Sequence, residues 1–304
     1  MLEILQLSAG RQAALIRERR ISSVELVTAH LQQIDTVNPA IHAAVDVLAE
    51  RALAMAAATD EATARGQEAG PLTGVPFSVK DSIEVEGTRC TAGTFGRRNA
   101  AKSTFDAEVV RRLRQAGGIP IAKTNLPDLL FAFETDNLLY GATRNPYGLE
   151  RTCGGSSGGE AALIAACGSP CGLGSDAAGS VRLPAAFCGI AAIKPTSGRL
   201  PRTGHFPPAG GWIEALWQIG PMARRAEDLP LLMELLAGGD GADQAVIDIP
   251  FRDSSHVNLA DLRIAFYTTG APSEAVRRAA AALESQVRFM EESRPGCLEE
   301  AYDL

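Results

Sequence analysis

Gly154-Gly155-Ser156-Ser157-Gly158-Gly159, followed by the apolar run Ala161-Ala162-Leu163-Ile164-Ala165-Ala166 and then by Ser175-Asp176-Ala177-Ala178-Gly179-Ser180-Val181-Arg182-Leu183-Pro184, is the stretch that decides how this 304-residue chain is read. Glycine lacks the Cβ that closes off positive φ, so the first loop is free to turn sharply around two hydroxyls. The apolar run predicts a short helix over 160–166, buried on more than one side. The second loop is a row of small residues whose backbone N–H groups are able to converge on one hollow, as in an anion-binding nest, with Ser180 at its rim. A flexible linker would not lead at once into an apolar helix. A Walker loop needs Gly-Lys-Ser/Thr, and a dinucleotide fold needs Gly-x-Gly-x-x-Gly after a strand; neither is present. Two serines on small-residue loops point instead to nucleophilic catalysis, which requires a base.

Lys80 is the first candidate. It ends the alternation Val75, Phe77, Val79, which predicts a half-buried strand. A free lysine, with its pKa of ~10.4, is charged at neutral pH, but burial disfavours the charge and frees the amine to accept a proton. On composition alone a lysine snorkelling from a strand end is the plainer reading. Lys123 and Lys194 also follow short apolar runs, and His30, His42, His205 and His256 are candidates for a serine–histidine pair. His30 is expected on a helix surface. His205 falls in Thr203-Gly204-His205-Phe206-Pro207-Pro208, a loop suited to lining a pocket but with no acidic partner nearby.

These loops, together with Gly74-Val75-Pro76-Phe77-Ser78-Val79-Lys80-Asp81 upstream and Gly220-Pro221-Met222-Ala223-Arg224 downstream, resemble the signature of the amidase signature family of serine hydrolases. The resemblance covers most of the chain, from about residue 20 to about residue 270. It implies an α/β fold with a mixed central sheet covered by helices on both faces. It also implies a Ser-Ser-Lys triad: Ser180 as nucleophile, Ser156 as a bridging serine after a cis peptide bond, and Lys80 as base. Backbone N–H groups of Ala177, Ala178, Gly179 and Ser180 are then the expected oxyanion donors. Many relatives carry glycine at the position of Ala178, so an alanine there would be strained if the site needed positive φ. Asp176 and Arg182 are expected to pair across the turn, and Ser175 to support the bridging serine. The implied activity is hydrolysis of a small-molecule amide without metal or organic cofactor. Two alternatives stand beside it: the glutaminase subunit of a tRNA-dependent amidotransferase, and a catalytically incompetent fragment, since the family continues well beyond the position of Leu304.

The remaining composition fits that reading. A net charge of −7 argues against a general nucleic-acid or anionic-membrane surface. No apolar run approaches a membrane span and no basic region followed by an apolar core opens the chain, so a cytoplasmic protein is expected. Cys90, Cys153, Cys167, Cys171, Cys188 and Cys297 lack metal-ligand or disulfide spacing and are expected to be reduced and mostly buried. The chain is expected to be a single amidase domain, C-terminally truncated, with an N-terminal helical part over 1–70 and a catalytic core over 71–270. Helices are predicted over 4–18, over 22–36 behind the capping box Ser22-x-x-Glu25 and stopped by Asn38-Pro39, over 49–65, from Asp106 to Gly117, and over 227–237. Strands are predicted over 119–123, 191–194 and 262–267. A last helix over 273–293 carries an apolar stripe of Val276, Ala280, Leu283, Val287 and Met290. Left uncovered, that stripe is expected to make the chain poorly stable, self-associating and weakly active.

Overall fold

The sheet is organised around the strand that ends in Lys80. The computed structural model describes residues 2–67, 70–208, 210–251, 257, 264–266 and 298–300. Six strands hydrogen-bond in the spatial order β1 (Ala44–Val47), β3 (Ile119–Thr124), β2 (Pro76–Lys80), β6 (Cys171–Asp176), β8 (Gln218–Ala223) and β7 (Ala191–Ala192). β2 runs parallel to β3 and to β6, whereas β1 is antiparallel to β3, and β8 is antiparallel to both β6 and β7. This is the mixed sheet that the motifs imply. Parallel strands at the centre of such a sheet are covered on both faces, and every residue of β2, β3, β6 and β8 is buried.

The expectation of a half-buried strand before Lys80 is therefore corrected, because its two faces are both dry but chemically different. Side chains alternate across a strand. Phe77 and Val79 join one core with Val109, Val110 and Leu113 of α5 (Glu108–Gln115) and Leu229, Leu232 and Leu236 of α8 (Asp228–Leu236). Ser78 and Lys80 face the other way, toward α6 (Gly158–Ala165) and the loop that precedes it. The second core lies on that side, where Val27 and Ile34 of α3 (Ser23–Ile41) and Ala52 and Ala56 of α4 (Ala49–Ala64) pack with Ala162 and Leu163 of α6 and Ala185 of α7 (Arg182–Cys188).

Several local expectations change for physical reasons. The first predicted helix is two, α1 (Leu2–Leu5) and α2 (Ala9–Arg17), because the Ser8 hydroxyl accepts from the Arg11 N–H and caps a fresh start. α3 does open on the Ser22–Glu25 capping box, but Pro39 does not stop it. The helix runs on to Ile41 and ends on His42 in the left-handed region, with the Asn38 side chain accepting from the N–H groups of Ala43 and Ala44. His30 is buried rather than exposed, with Nδ1 3.0 Å from the Cys167 carbonyl and Nε2 3.2 Å from Gln12 Oε1, and burial pushes its pKa down to about 4. Residues 171–176 and 218–223, which sequence patterning left without an element, are the strands β6 and β8. Cys90, Cys153, Cys167, Cys171 and Cys188 are free and buried.

Two long-range contacts tie the frame together. The Asp228 carboxylate, at the start of α8, accepts from the N–H groups of Ala9 at 2.8 Å and Gly10 at 2.9 Å, the first turn of α2. From α5, Arg112 donates to the carbonyls of Leu236, Ala237 and Gly238 at the end of α8. A short hairpin, β4 (Arg144–Asn145) with β5 (Gly148–Thr152), lies between β3 and α6 in the chain. Residues 1–249 form one compact unit and 250–304 a second, in which β9 (Ile264–Phe266) pairs in parallel with β10 (Leu298–Glu300). The stripe predicted over 273–293 lies outside the described residues. No helix among the described residues is long and apolar enough to cross a membrane.

Candidate active site

Lys80 and Ser175 stand at the C-terminal ends of the adjacent parallel strands β2 and β6, the edge of a sheet where α/β folds place ligands. The Lys80 side chain is fully buried. Its Nζ lies 2.7 Å from Ser156 Oγ, 2.9 Å from Ser157 Oγ, 3.2 Å from Ser175 Oγ and 3.4 Å from the Ser175 carbonyl. Burial lowers its pKa to about 7, against the opposing pull of Asp176 and Glu160. Such an amine is available as a neutral base at physiological pH. Of the competing lysines, Lys123 is paired with Asp81 at 2.9 Å and bonded to the Ile83 carbonyl, and Lys194 bonds the Pro195 carbonyl; neither meets a serine hydroxyl among the described residues.

The glycines serve close approach more than freedom. A Cβ on Gly174 would sit 2.8 Å from Ser157 Oγ, and one on Gly172 would collide with the Glu160 carboxylate. Glu160, on α6, spans the gap so opened, accepting from Ser78 Oγ on β2 and from Thr124 Oγ1 on β3 at 2.6 Å. Burial raises its carboxyl to about 7, opposed by those two hydroxyl donors and by Lys80. α6 is thereby pinned onto the strand that carries Lys80. The loop before it contains a cis peptide between Gly155 and Ser156.

The second loop is held by Asp176. Its carboxylate accepts from the N–H groups of Gly179 at 2.7 Å, Val181 at 3.1 Å and Arg182 at 3.3 Å, and from the Arg182 guanidinium at 2.9 and 3.0 Å. Burial opposes its charge, yet Arg182 and these N–H donors hold the carboxyl below its ordinary value. The pairing expected across the turn is thus present. Positive φ falls on Gly179, at +121°, and not on Ala178, so the alanine sits without backbone strain. With the Gly179 N–H donated to Asp176, the N–H groups of Ala177, Ala178 and Ser180 are those of the row that donate to no acceptor among the described residues. The Ser180 carbonyl accepts from the Ser157 N–H at 3.0 Å, which joins the two loops.

Ser156, Ser175, Ala177, Ala178 and Ser180 form the floor of a cavity of about 330 Å³. The rest of its described lining is Leu129, Leu130, Phe131, Ala132 and Phe133 together with Ile213 and Trp217, and none of the described lining side chains is charged. Sequence reasoning missed the first of these segments. The available signal was an apolar run, Leu129 to Phe133, that belongs to no strand or long helix; Phe131 remains 82% exposed, which folding for stability alone would not select. Leu129 and Leu130 both adopt left-handed backbone, at φ +48° and +70°, a strained arrangement of the kind that clusters at ligand sites. His205 was also under-read. Its partners are not acids but Ser175 Oγ at 2.9 Å, Ser82 Oγ at 3.1 Å and the Pro207 carbonyl at 2.9 Å, and its ring meets Trp217 edge-on at 4.9 Å.

Comparison with known proteins shows what the chain is similar to. The model of the family described as Amidase matches residues 25–293. The chain is 42% identical to a glutamyl-tRNA(Gln) amidotransferase subunit of Carboxydothermus hydrogenoformans, over 83% of this chain and 51% of that protein. It is 40% identical to the human fatty-acid amide hydrolase 2, over 86% of this chain and 49% of that protein. Among solved structures, a fatty acid amide hydrolase superposes with a TM-score of 0.87 at 27% identity, covering 99% of this chain and 53% of that one. The chain spans about half the length of the curated relatives it matches.

Proposed function

Because the chain belongs to the amidase signature family, and because its buried Lys80 amine is held 2.7 Å from the Ser156 hydroxyl on the floor of an uncharged cavity, we propose that it hydrolyses a carboxylic amide through an acyl-enzyme on Ser180. The Lys80–Ser156 contact carries the proposal, since it supplies the base end of the proton path that a weak nucleophile needs. Ser180 Oγ attacks the amide carbon as its proton passes to Ser156 Oγ and the Ser156 proton passes to neutral Lys80. The N–H groups of Ala177, Ala178 and Ser180 face the oxygen on which negative charge develops. The protonated lysine then returns its proton through Ser156 to the leaving nitrogen, the C–N bond breaks, and water releases the acid from Ser180 by the same path in reverse. Asp176 and Arg182 hold the loop in shape.

The substrate class follows from the walls. Leucine, phenylalanine and tryptophan offer apolar area and no countercharge, so the preferred amide carries an aliphatic or aromatic group and no fixed charge near the scissile bond. A second reading draws on the 42% identity to the amidotransferase subunit, and in it the amide is that of glutamine. Glutamine presents an ammonium and a carboxylate, which an uncharged cavity leaves unpaired. Parallel assays of amine release from aryl and long-chain acyl amides, and of ammonia release from glutamine, separate the two. Turnover of the apolar amides exceeding that of glutamine supports the proposal; the reverse order supports the second reading.

A further inference from the structure

The hydrogen bonds behind Lys80 have a direction, and it is set from outside the Ser-Ser-Lys row. His205 is buried, and burial pushes its pKa down to about 3 against the opposing pull of the Pro207 carbonyl, so its ring is neutral and carries one N–H. Nδ1 lies 2.9 Å from the Pro207 carbonyl, which only accepts, so the proton resides on Nδ1 and Nε2 is an acceptor. Nε2 then faces two hydroxyls, Ser175 Oγ at 2.9 Å and Ser82 Oγ at 3.1 Å, and the nearer, that of Ser175, donates to it. With its proton committed to His205, Ser175 Oγ offers Lys80 only lone pairs, at 3.2 Å. Ser157 is committed in the same way: its hydroxyl donates to the Ser175 carbonyl at 3.3 Å, leaving its lone pairs to Lys80 at 2.9 Å and to the Ser175 N–H. A neutral lysine has two N–H groups and one lone pair. The two N–H groups are directed to Ser157 Oγ and to the hydroxyl and carbonyl oxygens of Ser175, and the lone pair is left facing Ser156 Oγ at 2.7 Å.

We propose that His205 is a positioning residue which, through Ser175, orients the lone pair of neutral Lys80 toward the Ser156 hydroxyl. The inference rests on the reading of Lys80 as the base. Without an acceptor at Nε2, the Ser175 hydroxyl is free to turn its proton onto Lys80 and compete with Ser156 for the one lone pair. The effect belongs to the proton path and not to substrate contact, since His205 does not line the cavity.

The test has two parts on the full chain. In a double-mutant cycle on apolar-amide turnover, His205→Phe, which keeps the ring against Trp217, is expected to lower kcat by about 10- to 100-fold with KM unchanged, the loss typical of impaired proton transfer. In a Ser175→Ala background the same substitution is expected to have no further effect, because its route is gone. Separately, the ¹⁵N shifts of the unaltered chain are expected to show His205 neutral with its proton on Nδ1. Assignment comes from loss of the signal in His205→Phe or, should that chain not fold, by elimination with Gln substitutions of His30, His42 and His256. A proton on Nε2, additive losses in the cycle, or a kcat within about twofold of wild type overturns the inference. Labelling of Ser180→Ala by a fluorophosphonate at the wild-type rate would instead break the acyl-enzyme reading, and it would leave the tautomer result standing on its own.

Discussion

Lys80 is a cationic side chain placed where no water reaches it, and the consequence is a charge that is easily lost. Since the proposed base is the neutral amine, kcat/KM for an apolar amide should rise as pH passes through the lowered lysine pKa near 7 and level off above it. A pH–rate series from 5 to 9 checks this, and a rate flat across that range contradicts it. Ser156→Ala keeps the nucleophile but cuts its path to Lys80, so it should leave a residual rate lower by about 100- to 10,000-fold. At this scale it is the family resemblance that singles out Lys80, Ser156 and Ser180, since residue types alone favour a lysine snorkelling from a strand end, whereas the Asp176–Arg182 pair is legible from opposite charges flanking one tight turn. His205 was not legible as a partner. Ser82 and Ser175, which it touches, lie 123 and 30 residues away in the chain, and no local pattern reports contacts of that span.

Among the elements, α6 is where sequence and structure diverge most usefully. Its apolar run is visible in the sequence, but its seating depends on Glu160, which points back under the helix to Ser78 and Thr124. β6 was invisible as a strand because Cys171-Gly172-Leu173-Gly174-Ser175-Asp176 has two glycines and no β-branched residue. Tertiary fit overrides propensity there, since Gly172 makes room for Glu160 and Gly174 for Ser157. A carboxyl whose folded pKa is raised contributes stability that is full below its unfolded value and is lost as pH climbs through the folded one. For Glu160 that window runs from about 4.5 to about 7. Thermal melts of wild type and Glu160→Gln should therefore show wild type losing ground to the variant as pH rises from 5 to 8, and a difference constant over that range would contradict the burial argument. Gly174→Ala should cost about 1–3 kcal/mol by overpacking against Ser157, Met222 and Val181, measured by denaturant unfolding.

For the molecule as a whole, distant parts of the chain are tied together away from the site, with α8 holding the start of α2 through Asp228 while Arg112 closes the far end of α8. Asp228→Ala removes two N–H acceptors from a helix start and should lower unfolding stability by about 1–2 kcal/mol, leaving Ser180 reactivity unchanged well below the transition. The overall α/β plan was readable because strand, helix and strand alternate from β2 through α5 to β3. The apolar wall from Leu129 to Phe133 was not, because its conformation is strained and its purpose lies in the cavity and not in the core. Everything proposed for the reaction turns on Ser180 being acylated with Lys80 acting as its base through Ser156. Fluorophosphonate labelling of the 304-residue chain, followed by peptide mapping and repeated across pH, tests that directly. A single adduct on Ser180 is expected, forming at a rate that rises through pH 7 and collapses in Lys80→Met. An adduct on another residue, or a labelling rate indifferent to both pH and Lys80, would contradict it.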